Sequence, residues 1–281
     1  MTEVLDQSRP LSRATVKSEI NYFVPNGQRP VIDLSGRERT NVNFAPHQME
    51  ISDARGTPPS VSLRERGFGL FPHRSEHCLE TEFEPLLAGY HPEMIAFLKN
   101  ETGARDIIPL RNGLLVRRGA RAAVPSRSKP AHFAHLDFTE TWANHFIYIG
   151  MAWENVKEIA PYRRFAIFQT WRATSEPPQD NTLAVCDASS FSTDDAVVQD
   201  FFPRPETVGI QFEAQLLTYN PAHRWNYYSN MTRDEVLVFK AYDSDKNLPR
   251  FVPHTAFNNS AVSADAEPRA SLEARFLAFF D

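Results

Sequence analysis

In Ala134-His135-Leu136-Asp137-Phe138-Thr139 an imidazole and a carboxylate stand two residues apart. Residues at that spacing on a β-strand share one face, so His135 and Asp137 can present their side chains together. They make up two thirds of a two-histidine, one-carboxylate facial triad, a donor set that leaves three positions open on a ferrous ion. Alone, His-x-Asp arises often by chance, and a histidine bonded to a nearby acid on a sheet surface is the plain alternative. Two later segments extend the pattern. Pro253-His254-Thr255 offers a third ligand. Arg269-Ala270-Ser271 sets a guanidinium and a hydroxyl on one strand face, where both can grip a single carboxylate.

These residues need strands to carry them. Eight segments are rich in β-branched and aromatic residues and are bounded by Pro, Asn, Asp and Ser: 113–118, 133–138, 164–173, 182–187, 212–220, 225–229, 235–242 and 271–280. Two segments carry a helical period. From His91 to Lys99, Pro92 suits the first helical position, Gly103 the stop, and Met94, Ile95 and Leu98 one face. From Thr141 to Ala160, Trp142, Phe146, Ile149, Trp153 and Val156 recur at three- and four-residue steps. Residues 1–18 are polar and aperiodic, which predicts a loose arm on a single domain spanning 1–281. Many short strands with few helices predict an all-β sandwich or jelly roll decorated by helices.

Composition narrows the function classes. The chain has 281 residues, with 30 basic and 35 acidic side chains and a net charge of −5. That balance lacks the basic footprint of a nucleic-acid binder. An apolar share of 42% supports a sizeable core. Two cysteines, Cys78 and Cys186, build no disulfide framework. No apolar run is long enough to span a membrane. The expectation is a cytoplasmic protein that takes a small-molecule substrate, with a homodimer left open.

The order of these parts resembles the iron(II)/2-oxoglutarate-dependent oxygenases, whose final strand carries an Arg-x-Ser like Arg269-Ala270-Ser271. More narrowly, the chain looks like a secondary-metabolism group that includes the CmcJ-type proteins, the AsaB-type hydroxylase/desaturases and the gibberellin desaturases. The residues carrying that likeness run from about position 90 to the C-terminus. They include His135-Leu136-Asp137-Phe138-Thr139, Trp171-Arg172, Cys186-Asp187, His223 to Tyr228, Glu235 to Asp243, and Pro268 to Arg275. The resemblance implies a double-stranded β-helix (jelly-roll or cupin-like) core with flanking helices. It implies Fe(II) held by His135, Asp137 and His254, with 2-oxoglutarate on Arg269 and Ser271, O2 as oxidant and ascorbate as a helper in vitro. The reaction class is hydroxylation, desaturation or oxidative cyclisation of a small metabolite.

His223 competes for the third ligand position, because Arg233 follows it. Two strands would then remain after the ligand, where the fold normally leaves one, so topology favours His254. His223, Arg172, Trp225, Tyr228 and Arg275 are expected to line the substrate pocket or support it, Arg172 by fixing an acidic group. Arg275 is the second choice for the co-substrate carboxylate. A metal enzyme that does not use 2-oxoglutarate, or a non-catalytic binding module on the same fold, are the alternatives.

Overall fold

The computed structural model describes residues 14–35, 39–117, 130–203, 210–263, 266 and 268–281. In chain order its elements are β1 (Thr15–Val24), β2 (Val31–Asp33), β3 (Asn43–Asp53), α1 (Pro59–Arg66), β4 (Phe68–Pro72), α2 (Phe83–Thr102), β5 (Asp106–Pro109), β6 (Leu115–Arg117), β7 (His135–Leu136), α3 (Glu140–Trp153), β8 (Arg164–Ala173), β9 (Asn181–Cys186), β10 (Ala196–Phe202), β11 (Phe212–Leu217), β12 (Trp225–Tyr227), β13 (Glu235–Asp243), β14 (His254–Asn258) and β15 (Ser271–Phe280).

These strands form two sheets. One has nine strands in the order β1-β3-β12-β9-β14-β7-β11-β10-β2. The other has six, in the order β4-β13-β8-β15-β5, with β6 also pairing β15. One apolar cluster joins Leu183 and Val185 of the first sheet to Trp171, Leu237 and Phe239 of the second, so the sheets pack face to face. This is the mainly β, jelly-roll architecture with flanking helices that the sequence implied.

Strand alternation divides β8 and β15 between two environments. Leu272, Ala274, Phe276, Ala278 and Phe280 pack outward with Leu87, Tyr90, Met94 and Leu98 of α2. The intervening residues of β15, Ser271, Glu273 and Arg275, lie on the other face, towards the nine-stranded sheet. The register of β8 against β15 pairs Trp171 with Glu273 and Arg172 with Leu272. Trp171 therefore looks inward and Arg172 outward.

All eight expected strand segments hold a strand, although Arg118, at the end of one, lies outside the described residues. The helix expected from His91 begins earlier, at Phe83, and Pro92 sits inside it. Pro85 lies in the first turn, where its missing N–H costs nothing, so it matches the start signal that had been assigned to Pro92. Gly103 does stop α2, in the left-handed region at φ 71°, with its N–H donating to the Lys99 carbonyl at 3.0 Å. The later helix ends at Trp153, before the expected Ala160. Asn155 adopts a positive φ there, while Val156 and Ile159 pack on the core from outside the helix. Residues 15–18 of the expected arm form the start of β1, hydrogen-bonded in register with β3, and residues 1–13 lie outside the described residues.

Candidate metal and co-substrate site

The two sheets enclose a cavity of about 380 Å³ with His135, Asp137 and His254 in its wall. β7 and β14 lie side by side, and His135 faces His254 directly in their antiparallel register. A side-chain pair across such a register is close enough to share one ligand. Asp137 follows one step beyond β7.

Hydrogen bonds set which ring nitrogen each histidine presents. His135 Nδ1 lies 2.9 Å from the Phe133 carbonyl, and His254 Nδ1 lies 3.3 Å from the Val252 carbonyl. A carbonyl only accepts, so each Nδ1 carries the hydrogen and each Nε2 keeps a free lone pair. Both Nε2 atoms point at the same carboxylate oxygen: Asp137 Oδ1 is 3.6 Å from that of His135 and 3.9 Å from that of His254. The three ligand atoms lie within 4.8 Å of one another. Among the described residues this is the one group of three or more His, Cys, Asp or Glu side chains so arranged. Two neutral imidazoles and one carboxylate suit a ferrous ion.

The other oxygen of Asp137 is held by Arg275, which donates to Oδ2 from Nε at 2.9 Å and from Nη2 at 2.6 Å. Arg275 also donates to the Gly113 carbonyl and pairs with Glu273. Glu273 in turn accepts from Arg117 Nη1 at 2.8 Å and from Gln169 Nε2 at 2.7 Å. Burial by itself would raise the Asp137 pKa. Arg275 and the two histidines outweigh it and keep the carboxyl ionised well below the usual range. His254 is pushed down to about 4, first by burial and then by His135. Both shifts leave Asp137 and His254 in their metal-binding protonation states at neutral pH.

Just before β15 begins, Arg269 lies 7% exposed beside the Trp171 ring, with its Nε and Nη1 unpartnered. Burial, and then the charge of Arg117, pull its pKa down to about 9. The Ser271 hydroxyl is fully buried and also lacks a partner. Buried donors without acceptors cost free energy unless a ligand satisfies them. A guanidinium and a hydroxyl left open together fit the far carboxylate of 2-oxoglutarate, so the residues present suit both the metal and the co-substrate.

The remaining expected pocket residues fall elsewhere. Arg172 is buried on the outer face of β8, where it donates to the His73 carbonyl at 2.7 Å and lies over the Tyr90 ring. Its neighbour Trp171 takes the inward position, so Arg172 binds no ligand in this cavity. His223 and Trp225 belong to a separate cluster: Trp225 Nε1 donates to Tyr22 Oη at 2.7 Å, which lies 3.1 Å from His223 Nδ1. Tyr228 packs in an apolar cluster with Phe68 and Leu237. These three residues sit on β12 or beside it, two or more strands from β7 in the nine-stranded sheet, and none lines the cavity. Arg275 does line it, and its charge is engaged by Asp137 and Glu273. Sequence reasoning missed Arg117, Gln169 and the Gly113 carbonyl, because only the register of β6 and β8 against β15 brings them to this face.

Comparisons with known proteins follow the same lines. A family model described as an oxidoreductase/YMDC permease-like domain matches residues 20–279. The chain is 28% identical over 290 residues to the hydroxylase/desaturase efuI of Hormonema carpetanum, covering 95% of this chain and 96% of that protein. It is 27% identical over 279 residues to the Fe(II)/2-oxoglutarate-dependent dioxygenase nvfI of Aspergillus novofumigatus, covering 95% and 98%. Among solved structures it resembles the iron and alpha-ketoglutarate-dependent endoperoxidase NvfI, with a TM-score of 0.74 and 25% identity over 96% of this chain and 99% of the other.

Proposed function

The chain belongs to this oxidoreductase family, and from that premise we propose that it is a non-haem iron(II)/2-oxoglutarate-dependent oxygenase acting on a small metabolite. It is an oxidoreductase of the dioxygenase class, and its cofactors are Fe(II) and 2-oxoglutarate. The single observation that carries the site assignment is the convergence of His135 Nε2, His254 Nε2 and Asp137 Oδ1.

In this reading His135, Asp137 and His254 hold the iron, while Arg269 and Ser271 take the distal carboxylate of 2-oxoglutarate. Arg275 is a positioning residue: by fixing Oδ2 it leaves Oδ1 as the ligand oxygen. Phe133, Phe138 and Trp171 keep water from the cavity wall. When bound with oxygen and 2-oxoglutarate, iron(II) supplies the oxidising chemistry that removes hydrogen from a substrate C–H bond. Hydroxylation, desaturation and ring formation all begin from that event.

The test is an anaerobic titration of the metal-free protein with ferrous iron and then 2-oxoglutarate, followed by the visible charge-transfer band of the chelate. The band is expected in the wild type and is lost in Asp137→Ala. Arg269→Ala should still bind iron but need on the order of 100-fold more 2-oxoglutarate, because a buried, charge-assisted carboxylate contact is removed. Iron binding without a band would overturn the co-substrate assignment.

A further inference from the structure

The cavity has two chemically different ends. Its described cationic side chains, Arg117, Arg269 and Arg275, all project from β6, β15 or the turn into β15, on the six-stranded sheet. The opposite wall continues from His135 across β11, β10 and β2. Direct cross-strand pairs there place Leu216 beside His135, Ala214 beside Gln199, and Phe201 beside Phe212 and Ile32. By strand alternation these residues share the face that His135 presents to the cavity. Phe201, Phe212, Ile32 and Ala214 all line it, and Phe146 and Trp153 of α3 close the same region.

One polar side chain interrupts that apolar wall. Gln199 is 2% exposed, lines the cavity, and its amide oxygen has no hydrogen-bond partner. Its strand lies two places from that of His135 and its register two residues further along, so about 12 Å separates the two positions at the usual strand dimensions. A buried amide facing an aromatic enclosure is a cost unless the occupant satisfies it.

We infer that the substrate is a neutral, largely apolar, ring-containing molecule whose hydroxyl group bonds the Gln199 amide about 12 Å from the metal ligands. This inference rests on the oxygenase reading and deepens it. An acidic substrate finds no described cation at this end, and Arg172, the residue that could have held such an acid, lies behind the sheet. Gln199 acts as the specificity residue: it orients an otherwise featureless apolar body so that one edge meets the metal.

The inference is tested by equilibrium dialysis under argon against naphthalene, 2-naphthol and 2-naphthoate, with iron(II) and 2-oxoglutarate bound so that Arg269 is occupied. These probes share one small ring system. 2-Naphthol should bind tightest and 2-naphthoate weakest. Gln199→Leu should weaken 2-naphthol about tenfold, leave naphthalene unchanged and keep the charge-transfer band. Gln199→Met serves as the second variant, with the same expectation. The inference is overturned if 2-naphthoate binds tightest, if 2-naphthol and naphthalene bind alike in the wild type, if the variants weaken both equally, or if no probe binds. Absence of the band in the wild type instead overturns the oxygenase reading, and this inference with it.

Discussion

His254 and His223 are both almost fully buried, and each has a carboxylate close to its Nε2, yet their hydrogen bonds give them opposite roles. At His254 a backbone carbonyl holds Nδ1, and Nε2 faces Asp137 together with the Nε2 of His135. At His223 both nitrogens are spent. Asp195 Oδ2 can only accept, so Nε2–H donates to it at 3.2 Å and Nδ1 accepts from the Tyr22 hydroxyl, which itself accepts from Trp225. His91 supplies a third case. On α2 its Nε2 has no partner, but the ring stands edge-on to the Phe276 ring of β15 and forms no ion pair with a carboxylate among the described residues. A free ring nitrogen therefore does not make a ligand; convergence with other donors does.

The largest expected effect breaks the comparison at its centre. His254→Ala should lower iron affinity by more than about 100-fold and abolish turnover, since loss even of a residue that merely supports a metal ligand costs 10–100-fold. His223→Ala should leave metal binding within a few-fold of wild type and show its cost in stability. Equilibrium dialysis against iron(II) under argon measures both, and the reverse ranking would move the third ligand to His223.

Next comes acid stability. Burial, and then the charge of Arg111, push His91 down to about 4, whereas the unfolded chain protonates it near 6.5. Between those values the unfolded state binds the proton and the native state does not. Stability from this group is thus complete above about pH 6.5 and falls as the pH drops towards 4, by of order 3 kcal/mol. His91→Phe should flatten that fall in urea unfolding of the metal-free protein at pH 7.5 and 5. Parallel losses in both proteins would show that His91 is not the group responsible.

Arg275→Lys sharpens the contrast in a different way. Lysine keeps the charge but cannot hold Asp137 Oδ2 with two parallel donors. Iron affinity should fall about 10-fold or more, while the urea midpoint stays close to wild type. Unchanged affinity would mean that Asp137 needs no external hold to present Oδ1.

The sequence carried those parts of the site that strand periodicity alone can determine. His135 and Asp137 share a face because they are two apart, as do Arg269, Ser271, Glu273 and Arg275. Periodicity says which residues share a face, but not which face looks inward. Arg172 was the expected pocket residue until its register with Leu272 turned it outward and set its neighbour Trp171, paired with Glu273, inward. The strands that went unrecognised are informative too. β3 carries Pro46 and polar residues at its outer positions, and β14 begins on His254 directly after a proline, so neither shows a plain strand pattern. Neither Gln199 nor Arg117 stood out, since a lone Gln in a strand and a lone Arg beside a loop become informative only when the enclosing wall is known.

The smallest expected effect concerns the cluster that lacks a ligand role. Tyr22→Phe removes one hydroxyl that both accepts from Trp225 and donates to His223. The ring and its stacking against His223 stay in place, so little packing is lost. What remains are two buried polar atoms without partners, and the variant should lose about 1–2 kcal/mol of stability. Iron affinity and the 2-oxoglutarate band should not change, because β12 carries nothing that reaches the cavity. A change in iron affinity in this variant would instead tie the His223 cluster to the metal site, and the division between the two histidines would fail.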